Sequence, residues 1–197
     1  MKIDRIETFL LKAPLTGGDR FYSSQAPFGE RASLVVKITT DDGIVGWGES
    51  GVSMPVDHLA TYIHDVLAPR LLGRDAAQTG PIGHELYAFS RDFGRKGASI
   101  DAMSGIDIAL WDLNGKILGQ PVSRLLGGRR RERIESYATG LYRTDTDDLP
   151  GALAAEARGY AEQGFTAMKL KIGYGFDIDM ENLRAVRAAL SNGTLIS

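Results

Sequence analysis

Two lysines, Lys169 and Lys171, stand two residues apart in the stretch Thr166–Gly175, TAMKLKIGYG. Met168, Leu170 and Ile172 alternate with them, which predicts a β-strand with an apolar face and both ammonium groups on the other. Side chains two apart share a strand face, with α-carbons about 6–7 Å from each other. Buried like charges at that spacing disfavour each other's charged form, and a lysine drawn toward neutrality can serve as a general base. The same pattern also fits a solvated strand face, and a K-x-K string alone does not choose between the two.

The composition removes several other chemistries. There is no cysteine, so disulfides, thiolate metal sites and cysteine nucleophiles are excluded. The net charge of −2 gives no electrostatic reason for a nucleic-acid or acidic-membrane partner. The basic run Arg129–Arg131 is short and isolated, and reads as a solvated linker. No apolar run approaches a membrane span, and charges interrupt MKIDRIETFL as they would not a signal peptide, so a cytoplasmic location fits. With 43% hydrophobic residues, the 197-residue chain has material for a sizeable core.

The elements that must position the lysines follow from period and punctuation. Residues 3–11 and ASLVVKITT (32–40) predict strands, DDG (41–43) a hairpin turn, and IVGWGES (44–50) the returning strand. Between the first two lies a long Gly/Ser/Pro-bearing loop, 15–31. From Pro55 the period becomes helical, with Leu59, Ile63, Val66 and Leu67 on one face. A second helix is expected over 81–93. A third is expected over 100–118, capped by Ser99, striped by Met103, Ile106, Leu110, Leu113 and Ile117, and stopped by Gly119 and Pro121. Then come a strand over 134–140, a helix over LPGALAAEARGYAEQG, the lysine strand, a helix over DMENLRAVRAAL with SNG (191–193) as its turn, and the start of a strand at TLIS. That β-α-β-α-β order predicts a parallel sheet or barrel, in which Met168, Leu170 and Ile172 pack on the crossover helices. The lysine face then looks into a barrel interior or crevice, near strand ends where such folds build sites.

The third helix and its surroundings carry a family pattern: Ala109-Leu110-Trp111-Asp112, Gly115-Lys116, Gly119-Gln120-Pro121 and Leu125-Leu126-Gly127-Gly128. With DDGIVGWGES (41–50) and GFTAMKLKIG (164–173), these resemble the enolase superfamily, specifically its mandelate racemase/muconate lactonizing group. SGIDIALWD, SYATG and KLKIGYG look most like its members acting on acid sugars and their lactones. The resemblance implies an α+β capping domain (1–128) followed by the first β/α units of a TIM-type barrel (129–197). Trp111, Asp107 and Asp112 read as structural residues that mark the family.

The resemblance also implies a reaction: abstraction of the proton α to a carboxylate, giving an enediolate stabilised by Mg²⁺. Lys171 would be the acid/base. Lys169 would lower its pKa and contact the substrate carboxylate. The loop 15–31 and the turn at 50–55 match the two family loops that cover the site, with Phe21 and Tyr22 as candidate substrate contacts. The partners implied are a sugar acid or lactone and further copies of the chain. Racemisation, dehydration and cycloisomerisation share the enediolate, and this segment does not separate them.

Family metal ligands are carboxylates at the ends of later strands, so no metal ligand is assigned here. Asp177, Asp179 and Glu181 read as surface or helix N-terminal charges. About 65 residues follow Arg133, whereas such barrels take about 200 or more. The barrel is therefore expected to be incomplete, Mg²⁺ to belong to the complete enzyme, and this chain alone to bind none and to be inactive. The alternative is a non-catalytic binding or assembly module that uses no metal.

Overall fold

The computed structural model describes residues 1–17, 20–24, 26–51, 56–190 and 195–196. In chain order the strands are β1 (Ile3–Pro14), β2 (Phe21–Tyr22), β3 (Pro27–Phe28), β4 (Glu30–Thr40), β5 (Val45–Ser50), β6 (Ala138–Thr139), β7 (Arg143–Thr144), β8 (Ala167–Lys169) and β9 (Leu195–Ile196). The helices are α1 (Asp57–Tyr62), α2 (Ala68–Leu71), α3 (Thr79–Ser90), α4 (Ala98–Leu118), α5 (Val122–Leu125), α6 (Leu149–Glu162) and α7 (Phe176–Ala189), with a π-helical segment, Ile63–Leu67, joining α1 to α2. No helix of the described residues is long and apolar enough to cross a membrane. The chain divides into two compact units: Met1–Ala13 with Arg31–Arg130, and Pro14–Glu30 with Arg131–Ser197.

The first unit is a three-stranded sheet, β1-β4-β5, covered by helices. Strands β4 and β5 pair antiparallel from Leu34↔Ser50 to Thr39↔Val45, as the DDG turn predicts. Gly43 takes φ 85°, a left-handed value that glycine adopts without a Cβ penalty. The core gathers Ile3, Leu34, Val36 and Ile38 of the sheet with Leu59, Ile63, Leu67, Ile82, Ile106, Leu110 and Leu113 of the helices. The stripe on α4 is as expected, with Met103 and Ile117 only half-buried at its ends.

The start of α4 differs from the reading that Ser99 caps it. The helix begins at Ala98, its N-cap is Gly97 and no side chain caps it, because φ 65° and ψ −134° at Gly97 set the chain direction two residues too early for Ser99. Its end is as expected: Gly119 is left-handed (φ 60°), and Gln120 N donates to Gly115 O. Asp112 and Lys116 fasten the helix to β5. Trp47 N donates to Asp112 Oδ2 at 2.8 Å, and Lys116 bonds both Asp112 and the Val45 carbonyl. Asp107 pairs with the Trp111 side chain, while burial pushes its carboxyl up. These residues hold the fold together.

The second unit contains the parallel sheet β6-β8-β9, in register Ala138↔Met168, Thr139↔Lys169, Ala167↔Leu195 and Met168↔Ile196. Helices α6 and α7 are its crossovers. Asp148 caps α6 by accepting from Gly151 N at 2.9 Å. The core is Ala138, Leu141, Leu153, Ala157, Met168, Leu170 and Val186. The strands are shorter than expected: only 138–139 of 134–140 and 167–169 of the lysine stretch. The turn expected at 191–193 lies outside the described residues apart from the helix end that precedes it.

Candidate active site

Along β8 and just past it, burial alternates as the sequence requires. Met168 and Leu170 are buried, Lys169 is exposed and Lys171 is half-buried. Because Met168 and Leu170 pack with Leu153 and Ala157 of α6 and Val186 of α7, the lysine face is the one turned away from the helices. Backbone pairing outlasts the assigned strand: Lys171 N donates to Leu141 O at 3.2 Å. The alternation stops at Ile172, which is 63% exposed and does not pack on the helices as expected. The cause is the turn that follows. Gly173 adopts φ 108°, and the Asp179 carboxylate takes the amides of Gly173 (2.8 Å) and Tyr174 (3.2 Å), pulling the chain out of strand geometry. Asp177 and Asp179 lie in the first turn of α7, where negative charge suits the helix dipole.

The loop 15–31 is not structureless. Its described residues form the hairpin β2-β3, and β2 pairs antiparallel with β7 in the register Phe21↔Thr144, Tyr22↔Arg143. Phe21 is 8% exposed, stacked on Phe28 at 4.8 Å and tilted against Tyr142 at 4.6 Å. Tyr22 is half-buried and its phenol donates to Asp145 Oδ1 at 2.7 Å; that bond, then burial, pushes the phenol's pKa up. Tyr174 OH donates to the Tyr22 carbonyl at 2.7 Å, so the turn after the lysines is bonded to the hairpin. The Arg143 guanidinium lies 5.9 Å from the Tyr22 ring and 5.8 Å from the Tyr174 ring. The structure thus brings Phe21, Tyr22 and Lys171 into one unit, with Phe21 in its packed interior.

Sequence reasoning missed Leu141, Tyr142 and Glu156. Leu141 is fully buried yet takes φ 51°, a left-handed value that costs a non-glycine residue about 1–2 kcal/mol. Glu156 Oε1 accepts its N–H at 3.1 Å and the Tyr160 hydroxyl at 2.7 Å. That second bond, then burial, pushes the Tyr160 phenol up to about 12. A phenol raised in the folded state contributes stability that is complete below its ordinary value of about 10 and lost as pH rises through the folded value. Glu156→Ala is therefore expected to return the Tyr160 titration, followed by phenolate absorbance, toward the ordinary range. It should also cost about 1–3 kcal/mol in urea unfolding at neutral pH, because the buried Leu141 amide loses its acceptor. An unmoved titration would show that Glu156 does not hold this corner.

Carboxylates are present nearby but dispersed. An open groove of 830 Å³ is lined by Arg143, Asp145, Asp147, Asp148, Glu181 and Asn182, among others. Among the described residues no three Asp, Glu or His side chains stand together as a metal site would need. The described residues therefore supply no three-ligand set for a divalent cation.

Comparison with known proteins gives this geometry a context. Residues 10–127 match the model of the mandelate racemase/muconate lactonizing enzyme N-terminal domain. The chain belongs to that family. It is similar to D-galactarolactone cycloisomerase of Agrobacterium fabrum, with 41% identity over 96% of this chain and 49% of that protein. It is also similar to arabinonate dehydratase of Saccharolobus solfataricus, with 35% identity over 83% of this chain and 44% of that protein. Among solved structures, 3,6-anhydro-D-galactonate cycloisomerase of Zobellia galactanivorans superposes with a TM-score of 0.83 at 38% identity, over 100% of this chain and 50% of that one. An enolase-superfamily member of Polaromonas sp. JS666 gives 0.88 at 31% identity, over 100% and 51%. The chain spans about half the length of the curated relatives it matches. It carries the N-terminal capping domain of the enolase superfamily. The relatives named divide between cycloisomerase and dehydratase, so family membership does not select a single product.

Proposed function

We propose that this chain carries the base-bearing part of a mandelate racemase-like enzyme that removes the proton α to the carboxylate of a sugar acid or its lactone. Lys171 is the base. The α C–H bond breaks, its electron pair moves into the conjugated carboxylate as an enediolate, and the proton joins the Lys171 Nζ lone pair. Lys169 presents its ammonium to the substrate carboxylate. Tyr22 supplies the hairpin side of the site, with Phe21 packed behind it, and the second unit is the start of a β/α barrel. The observation that carries this reading is the placement of the lysines: they sit on the sheet face away from α6 and α7, at the carboxyl end of a parallel strand, where such folds place their chemistry. Mg²⁺ belongs to the complete enzyme in this reading, and no step taken by these residues runs through it.

The test is solvent exchange. The full-length protein that carries this segment, given Mg²⁺ and a panel of sugar acids and lactones in deuterated water, is expected to lose the substrate α-proton signal in the NMR spectrum. The 197-residue chain alone is expected to show no exchange. Absence of exchange by a folded full-length protein across the panel overturns the reading. It would leave the non-catalytic binding or assembly module as the better account.

A further inference from the structure

We propose that Tyr142 is the positioning residue for Lys171: its ring seats the amine and stabilises the positive charge that appears on Nζ as the proton arrives. The inference rests on the reading of Lys171 as the base. Lys171 Nζ lies 4.9 Å from the Tyr142 ring centroid, within the roughly 6 Å over which a cation is attracted by an aromatic face. A neutral amine gains little from the ring quadrupole, whereas an ammonium gains the full attraction. The contact therefore strengthens along the reaction coordinate, which is the condition for accelerating the chemical step instead of merely tightening binding.

The backbone is arranged to fix this pair. The left-handed Leu141 turns the chain at the end of β6 and delivers Tyr142 as the next residue. Leu141 is held on one side by Glu156 Oε1 and on the other by the Lys171 amide, which donates to its carbonyl. Ring and ammonium are thus referenced to one shared backbone hydrogen bond. Behind the ring, Phe21 closes at 4.6 Å and is itself stacked on Phe28. Strain at a non-glycine residue that serves to place one side chain is typical of a functional position.

Two measurements decide it. In the 197-residue chain, the Lys171 Hε protons should show an upfield ring-current shift, kept in Tyr142→Phe and lost in Tyr142→Leu. In the full-length protein, Tyr142→Leu should lower kcat for α-proton exchange roughly tenfold with KM changed less than about twofold, and Tyr142→Phe should restore kcat. A ring-current shift absent from the parent chain overturns the contact, even if Tyr142→Leu fails to fold. A parent enzyme that exchanges, with Tyr142→Leu folded and equally fast, overturns the positioning role and leaves Lys171 as base. Exchange absent from the parent overturns both readings, and a surviving ring-current shift then marks a structural contact only.

Discussion

Lys171→Ala is expected to lower α-proton exchange by the full-length protein about 10²–10⁴-fold, the usual worth of a positioned general base. An α-proton beside a carboxylate is a very weak acid, and without an amine at the right place water is the remaining acceptor. The loss should appear in kcat, because the base acts on the proton and not on the groups that bind substrate. Lys171→Arg should be equally inactive, since a guanidinium stays protonated and cannot take the proton. That variant separates two roles: if Lys171 only attracts the substrate carboxylate, arginine rescues a large part of the rate. Lys169→Arg is expected to behave in the opposite way, keeping much of the activity, because in the proposed reading a charge is what that position contributes. Folding should survive in all three, since Lys169 is exposed and Lys171 is half-buried at the edge of the core. Exchange at the parent rate in Lys171→Ala would remove that lysine from the mechanism.

The lysine pair was legible because a two-residue period is written directly in MKLK, and the tertiary fold had no reason to override it. The period failed one residue later. Ile172 is exposed because Asp179, six residues beyond Gly173, captures two amides, and no local pattern announces that bond. Ser99 was misplaced as a cap for a related reason: the helix start is set by a glycine conformation, not by the nearest hydroxyl. The loop 15–31 could be recognised by its Gly, Ser and Pro content, but strands of two residues carry no period. Its pairing with β7 and the tilted contact of Phe21 with Tyr142 depend on partners more than a hundred residues away. Leu141 and Tyr142 were invisible on similar grounds. A leucine in a left-handed conformation contradicts its own propensity and exists because Glu156 and Lys171 hold its amide and carbonyl. The family motif was easier to read than its physical cause. The glycines of GWGES and the small residues of α4 form one contact surface, and spacing alone does not show that two distant stretches face each other.

That surface supports the largest stability effect expected in the molecule. Gly46, Gly48 and Ser50 occupy the buried face of β5, alternating with exposed Trp47 and Glu49. A Cβ at Gly48 would overlap the Gly105 carbonyl oxygen of α4 and stand 2.7 Å from Ala109 N. Both are backbone atoms of a regular helix, so no rotamer change can relieve the clash. The helix must instead move off the sheet, opening contacts around Ile106, Leu110 and Leu113, all fully buried. Gly48→Ala is therefore expected to cost about 3 kcal/mol or more, the upper end for overpacking a core. That is a large fraction of the roughly 5–15 kcal/mol that holds a domain folded. Gly105→Ala meets Ser50 Oγ and the Val36 Cγ2 methyl, side-chain atoms that can yield, and should cost less. Gly159→Ala, half-buried on α6, meets nothing within 4 Å and should stabilise by about 0.4–1 kcal/mol through the unfolded chain. Urea unfolding of the three variants orders them. If Gly48→Ala unfolds at the parent midpoint, α4 does not rest on β5 at backbone distance, and the helix would then be free to approach the sheet by some other face.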